Sequence, residues 1–307
     1  MNSLFETAGL VVFERGWLSC NNILFGRDQS AETVLIDSGY CSHSAQTVSL
    51  VQRILGPRPL DRVINTHLHS DHCGGNHALQ TAFDCRVDVP AGEASKVDEW
   101  DEAKLTYRAT GQQCPRFLRT GSIRGGETVK LGERFWQVIA APGHDPESVA
   151  LYEPELQLLI SADALWENGF GVVFPELEGL SAFDTVRQTL DLLGELPVRC
   201  VIPGHGPPFE DARSALVRAH SRLDGFLKNP RKHALYAAKV LVKFHLLERR
   251  RIDALELAEW MSSTPYMQLV HGRYFEQSDF GAWCSSVVDS LVASGAAHTE
   301  SGIISDR

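Results

Sequence analysis

The chain has 307 residues, 43% of them hydrophobic and 22% charged, which allows one large domain or a domain with an appendage and excludes a disordered chain. Its formal net charge of −10 argues against indiscriminate binding to nucleic acid. No apolar run approaches the ~20 residues a membrane helix needs, and the first residues lack a basic leader followed by an apolar stretch, so no signal peptide is expected.

The first two-thirds of the chain reads as short strands with intervening helices. Residues 9–13 are a short apolar run. Residues 22–25 and 33–36 suit paired strands, joined by a turn-rich connector of Gly26, Arg27, Asp28, Gln29 and Ser30. Residues 44–55 carry apolar side chains at helical spacing, closed by Gly56 and Pro57. Residues 62–66 form a short buried strand that runs into His67. The stretch 91–125 is more polar and irregular, and suits helical pieces or a lid. Strands are expected at 128–131, 135–140, 149–152, 156–160 and 200–202, with an amphipathic helix at 183–193. After about residue 211 strand signals nearly vanish, and helices are expected at 212–227, 231–248, 254–261 and 280–294, with a short tail at 296–304. The charge changes as well. Residues 218–307 carry 12 Lys and Arg against 10 Asp and Glu, whereas residues 1–217 carry 17 against 29. These changes predict a catalytic unit of residues 1–214 and a mainly helical unit of residues 215–307.

Seven cysteines, at 20, 41, 73, 85, 114, 200 and 284, are irregularly spaced with no C-x-x-C pair. This suits reduced thiols in a cytoplasmic protein rather than a disulfide framework.

The chemistry concentrates at His67-Leu68-His69-Ser70-Asp71-His72, followed by Gly74-Gly75. Three imidazoles and a carboxylate in one short loop are costly to hold together unless a cation pairs with them, and neutral imidazole and carboxylate are ligands for a divalent metal. Three further candidates stand at expected strand ends. They are His144 after Ala141-Pro142-Gly143, Asp163 after Ile160-Ser161-Ala162, and His205 after Ile202-Pro203-Gly204. Strand ends meet along one edge of a sheet, so these groups are expected to converge.

The order H-x-H-x-D-H, then Gly-His, an Asp after a strand and Gly-His-Gly resembles the metallo-β-lactamase superfamily over roughly residues 8–210. Spacings of 72 residues from His72 to His144, 19 to Asp163 and 42 to His205 suit that pattern. The resemblance implies an α/β, four-layer αββα sandwich, here with a helical, winged-helix-like C-terminal appendage. It implies that His67, His69 and His144 hold one divalent ion, that Asp71, His72 and His205 hold a second, and that Asp163 bridges them. With only nitrogen and oxygen ligands, two Zn2+ are expected, with Mn2+ or Fe2+ as alternatives. Two cations a few Å apart would turn a bridging water into a hydroxide nucleophile near neutral pH, with Asp71 orienting it and carrying its proton.

The expected activity is hydrolysis of a thioester or ester of a small molecule, similar to the glyoxalase II branch. A lactonase, an endoribonuclease or phosphodiesterase resembling the small endoribonuclease-like branch, and a mononuclear iron sulfur dioxygenase remain as alternatives, and a noncatalytic binding module is the reading from another class. Lactonases of this fold often place a tyrosine three residues after the bridging aspartate. Here that position is Trp166, although an apolar acyl pocket lined by Trp100, Trp166 or Phe170 would favour a lactone. Asp37 is either a turn residue or a partner behind a ligand histidine. Cys73 reads as a small buried residue. His43, His77, His220, His233, His245, His271 and His298 lack motif context. The basic clusters at 228–232 and 249–251 read as solvated helix ends. The oligomer is expected to be a monomer or homodimer.

Overall fold

The computed structural model describes residues 1–26 and 32–307. The connector expected at 26–30 lies outside the described residues apart from Gly26. The strands are β1 (Leu10–Phe13), β2 (Asn22–Phe25), β3 (Val34–Ile36), β4 (Arg62–Ile64), β5 (Arg86–Pro90), β6 (Gly121–Ile123), β7 (Thr128–Leu131), β8 (Arg134–Ala140), β9 (Val149–Glu153), β10 (Leu158–Ala162), β11 (Cys200–Pro203), β12 (Arg251–Asp253), β13 (Ala297–Glu300) and β14 (Ile303–Asp306). One sheet has the order β1-β2-β3-β4-β5-β6 and a second β11-β10-β9-β8-β7. In the first, β1 to β3 are antiparallel and β3 to β6 parallel. In the second, every pair is antiparallel except β10 with β11.

The period-2 alternation of side chains builds the layers. Ile23, Phe25, Val34 and Ile36 of the first sheet meet Val138, Leu151, Leu158, Ile160 and Ile202 of the second in one buried cluster. Their neighbours point the other way. Leu24, Leu35, Val63 and Val87 pack under Val51, Leu55 and Leu79 of the helices Ser44–Leu55 and Asn76–Phe83. Ala150, Leu159 and Val201 pack under Phe183, Val186 and Leu190 of the helix Phe183–Gly194, and under Ala215, Ala219 and Leu223 of the helix Ala212–Lys228. The result is helix, sheet, sheet, helix, as the resemblance implied.

The helix Ala212–Lys228 straddles the division expected at residues 214/215. Asn229 ends it and caps the helix Pro230–Arg249. From there a separate core forms from Leu241, Leu246, Leu257, Met261, Met267, Trp283 and Val287, joined by Val172 and Leu177 of the sandwich. This part is mainly helical, as expected, with further elements. The helix Pro265–Tyr274 is additional, and the tail forms the hairpin β13–β14, to which β12 adds in a three-stranded antiparallel sheet. The short strands β5 and β6 also escaped the sequence reading, as did the helices Ala94–Glu99 and Tyr107–Thr110 as separate elements within 91–125. Among the described residues no helix is long and apolar enough to cross a membrane.

Candidate metal centre

Strand direction brings the seven residues together. In the second sheet β8, β10 and β11 point the same way, because β8 and β10 each run antiparallel to β9 and β11 runs parallel to β10. Their C-terminal ends deliver His144, Asp163 and His205 to one edge. The end of β4 delivers His67 from the other sheet, and the Val149 N–H donates to Thr66 O at 2.9 Å to tie the two edges. His69 caps the short helix Ser70–Cys73, which carries Asp71 and His72.

The donor atoms fall into overlapping groups, the atoms of each lying within 4.8 Å of one another. These are His67 with His69 and His144, His67 with His72 and Asp163, and Asp71 with His72 and His205. His69 Nδ1 is 3.1 Å from His67 Nε2 and 2.7 Å from His144 Nε2. Asp163 faces both sides. Its Oδ1 is 3.5 Å from His72 Nε2, and its Oδ2 is 3.4 Å from His144 Nε2 and 3.8 Å from His205 Nε2. Asp71 Oδ2 lies 3.0 Å from His205 Nε2. All seven candidates therefore converge. Five are buried, while His69 and Asp71 are partly open to a cavity.

Hydrogen bonds behind the rings fix their tautomers. Asp37 Oδ2 accepts from His72 Nδ1 at 2.8 Å. Val172 O accepts from His144 Nδ1. Thr66 Oγ1 donates to Asp37 Oδ2 at 2.8 Å and so accepts from His67 Nδ1 at 3.2 Å. The bonds behind His67 and His144 turn an Nε2 lone pair toward the cluster, and the bond behind His72 turns its Nε2 the same way. Asp37 also accepts the Thr66 N–H at 2.8 Å and has a positive φ of 57°. It is thus both turn residue and partner of a candidate ligand.

The charges agree with this arrangement. Burial, helped by the neighbouring histidines, holds His67 well below the usual imidazole range. Burial pushes His69 and His144 down to about 4. All three are therefore neutral near pH 7. His72 is opposed by burial, yet its neighbours Cys20, Asp163, Asp37 and Asp71 lift it well above its ordinary value. Burial also pushes the Cys20 thiol up to about 12, so at neutral pH the carboxylates carry the lift. Burial opposes ionisation of Asp163, but His205, His72 and His144 hold it well below the usual carboxylate range.

This donor set fits divalent metal. Among the described residues the buried His72 Nε2 has no hydrogen-bond partner. His69 Nδ1 faces His67 Nε2 at 3.1 Å and His144 Nε2 at 2.7 Å, so with its proton on Nε2 the three rings offer three nitrogen lone pairs to one cation. Two glycines permit the approach, since a Cβ on Gly204 would overlap Asp163 Oδ1 and one on Gly171 would overlap the His144 ring. A bulge in β10 between Ile160 and Ala162, with Ala162 at φ 47°, turns Asp163 into the centre.

Trp166 reaches the centre, its Nε1–H donating to Asp163 Oδ1 at 3.2 Å. Trp100 and Phe170 do not line the cavity. Trp100 packs edge-on to Phe117, and Phe170 edge-on to Phe226. Trp17, which has no motif context, stacks on His205 with centroids 5.3 Å apart and remains 54% exposed. Cys73 is buried, with Sγ 3.2 Å from Tyr107 Oη and 3.7 Å from Cys114 Sγ. His233, without motif context, accepts the Val173 N–H at 3.1 Å, next to the carbonyl that holds His144.

Comparison with known proteins agrees with the architecture. The matching family is the metallo-β-lactamase superfamily, over residues 15–205. A hydroxyacylglutathione hydrolase of Hyphomonas neptunium is 32% identical over 115 residues, 38% of each chain. That of Brucella anthropi is 28% identical over 197 residues, 64% of each chain. These matches therefore span less than two-thirds of the relatives' own length. A metallo-β-lactamase family protein from Thermus thermophilus superposes with a TM-score of 0.57 at 20% identity, over 98% of this chain and 99% of its own. With the family pattern matched over more than half its length, this chain belongs to the metallo-β-lactamase superfamily.

Proposed function

We propose that the protein is a binuclear metal-dependent hydrolase acting on a thioester or ester bond of a small molecule. The observation that carries this reading is the convergence of seven nitrogen and oxygen donors around the unpartnered His72 Nε2. His67 Nε2, His69 Nδ1 and His144 Nε2 would hold one ion. Asp71, His72 Nε2 and His205 Nε2 would hold the other, with Asp163 shared between them. Zinc suits the donors, and manganese or iron(II) are the alternatives. Divalent ions so held supply Lewis acidity and acidify water.

The chain's own residues do the rest. Asp37 and the Val172 carbonyl orient His72 and His144. Trp166 steadies Asp163. Asp71, partly open to the cavity, takes the proton of the attacking water on its carboxylate and returns it to the departing sulfur or oxygen, so that thioester and water become acid and thiol. Phe174 and the helix Pro230–Arg249 cover the cavity and exclude bulk water. In this reading the sandwich ends with the helix Ala212–Lys228, and the unit from Pro230 onward forms the cover. The names of the hydroxyacylglutathione hydrolases favour the thioester. The Trp166 indole leaves no hydroxyl for the lactonase pattern. A nucleic-acid role is disfavoured by basic groups already committed, with Arg249 to Glu256 at 2.6 Å and Arg231 over the Phe275 ring.

The test is metal content per chain by plasma mass spectrometry on protein purified without added metal, followed by a screen of thioesters, esters, lactones and phosphodiesters. About two zinc or manganese ions with thioester or ester turnover are expected. One iron per chain with oxygen consumption would replace the hydrolase with sulfur oxidation, and no metal would remove the reading.

A further inference from the structure

The geometry points to a substrate with a short aliphatic, uncharged acyl group on a leaving group that does not carry two carboxylates, an inference that rests on the hydrolase reading. The cavity beside the cluster holds about 80 Å³. Its apolar wall is Trp17, Trp166, Phe174, Val240, Leu241 and Phe244, the last three from the helix Pro230–Arg249. Among the described residues no lysine or arginine lines it.

Most of its polar side chains outside the cluster are already committed. Ser70 Oγ donates to Gln112 Oε1 at 2.5 Å, Tyr107 Oη to Leu68 O at 3.0 Å and Thr110 Oγ1 to Thr106 O at 2.9 Å. A charged group placed against the apolar wall would lose its hydration without gaining a partner from it, whereas an aliphatic group would gain by leaving water. Size narrows the choice. An apolar cavity of roughly 150 Å³ takes benzene, so this smaller one suits a group of about three to five carbons.

The far side of the cluster disfavours a leaving group that carries two carboxylates. A second depression shares His69, Thr106, His144 and Phe174 with the cavity and contains Lys96 and Lys104. Lys96 Nζ is 2.7 Å from Oε1 of the buried Glu93, and Lys104 Nζ is 3.1 Å from Asp101 Oδ2. Asp145 and Glu178 line the same depression. With its cations paired and further acids beside them, it is a poor receptor for the two carboxylates of glutathione.

The experiment compares kcat/KM of the metal-replete protein for acetyl, isobutyryl, isovaleryl and benzoyl thioesters, each on N-acetylcysteamine and on glutathione. The branched acyl groups should exceed acetyl and benzoyl by about tenfold or more, with the glutathione thioester no better than the neutral one. Leu241→Ala should move the optimum toward benzoyl. An acetyl or benzoyl optimum, or a tenfold preference for glutathione, would overturn the inference. A readout without turnover comes from calorimetric binding of ketones in which CH2 replaces the thioester sulfur. If the branched ketones bind best while no thioester is cleaved, the pocket assignment stands and the hydrolase reading fails. If thioesters are cleaved without acyl preference and the ketones bind alike, the hydrolase stands and the pocket assignment fails.

Discussion

His72 and His144 stand on either side of Asp163, with Nε2 atoms 3.5 and 3.4 Å from its two oxygens, but they are held from behind by different groups. Behind His72 is the buried carboxylate of Asp37. Behind His144 is a main-chain carbonyl, that of Val172. The adjacent Val173 N–H is held by His233, on the helix Pro230–Arg249. A carboxylate raises the basicity of the ring it holds and adds negative charge, whereas a carbonyl mainly orients it. The half built from Asp71, His72 and His205 thus has Asp37, Asp71 and Asp163 paired within it, whereas the half built from His67, His69 and His144 pairs with Asp163 and feels Asp71 and Asp145 through space. The first is a charge-rich site and the second a site of neutral rings. If the proposed binuclear reading holds, stepwise chelation should remove the ion of the neutral-ring half first.

The largest expected break in this comparison is the double change His67→Ala with His69→Ala. It removes two of the three rings of the neutral half, so turnover should fall on the order of a thousandfold or more and metal content should drop by about one ion per chain. Metal counting beside initial rates checks both. Asp71→Asn comes next. The amide keeps a ligand oxygen but cannot take the proton, so turnover should fall by roughly 10²–10⁴ while most metal stays. Full turnover with metal retained would remove Asp71 from proton transfer. Asp37→Asn should weaken metal affinity by about 10–100-fold, and competition with a chromophoric chelator should locate that loss in the charge-rich half. Equal loss from both halves would collapse the distinction.

Much of both halves was readable from one loop. His67, His69, Asp71 and His72 fall within six positions, where electrostatic cost makes a metal the natural explanation. His144, Asp163 and His205 were legible because each follows a strand with its own turn residues. Asp37 precedes His72 by 35 residues, so a turn and a ligand partner looked alike until the fold placed its carboxylate on the ring. Trp17 and His233 had no local pattern at all. Each acts through a contact made only when distant segments pack, Trp17 on His205 and His233 on Val173. The same limit hid the C-terminal sheet. β13 and β14 have four residues each, and β13 shows Ala297 buried with three exposed residues after it, so no alternation announces a strand. Their pairing comes from the hairpin and from the packing of Ile304 and Ala297 into the helical core.

The smallest expected effect belongs to the support of the neutral half. Burial, with the charge of Arg222 adding to it, pushes the His233 ring down to about 3. An unfolded imidazole titrates near 6.5, so between about 6.5 and about 3 the unfolded chain takes up the proton first. The stability that His233 contributes is complete above the unfolded value and is lost as pH falls toward the folded one. His233→Gln preserves an acceptor for the Val173 N–H but cannot titrate, so turnover should change only by a few-fold. The difference between the urea midpoints of the metal-free wild type and variant should be constant above about pH 7.5. Below about pH 6.5 it should shift steadily in the variant's favour down to about pH 4, far enough to reverse the order, because only the wild type loses this contribution, and the other titrating groups cancel between the two proteins. Parallel midpoints across that range would mean that His233 titrates alike in the folded and unfolded chains, and that the Val172–Val173 segment is held by packing without its imidazole.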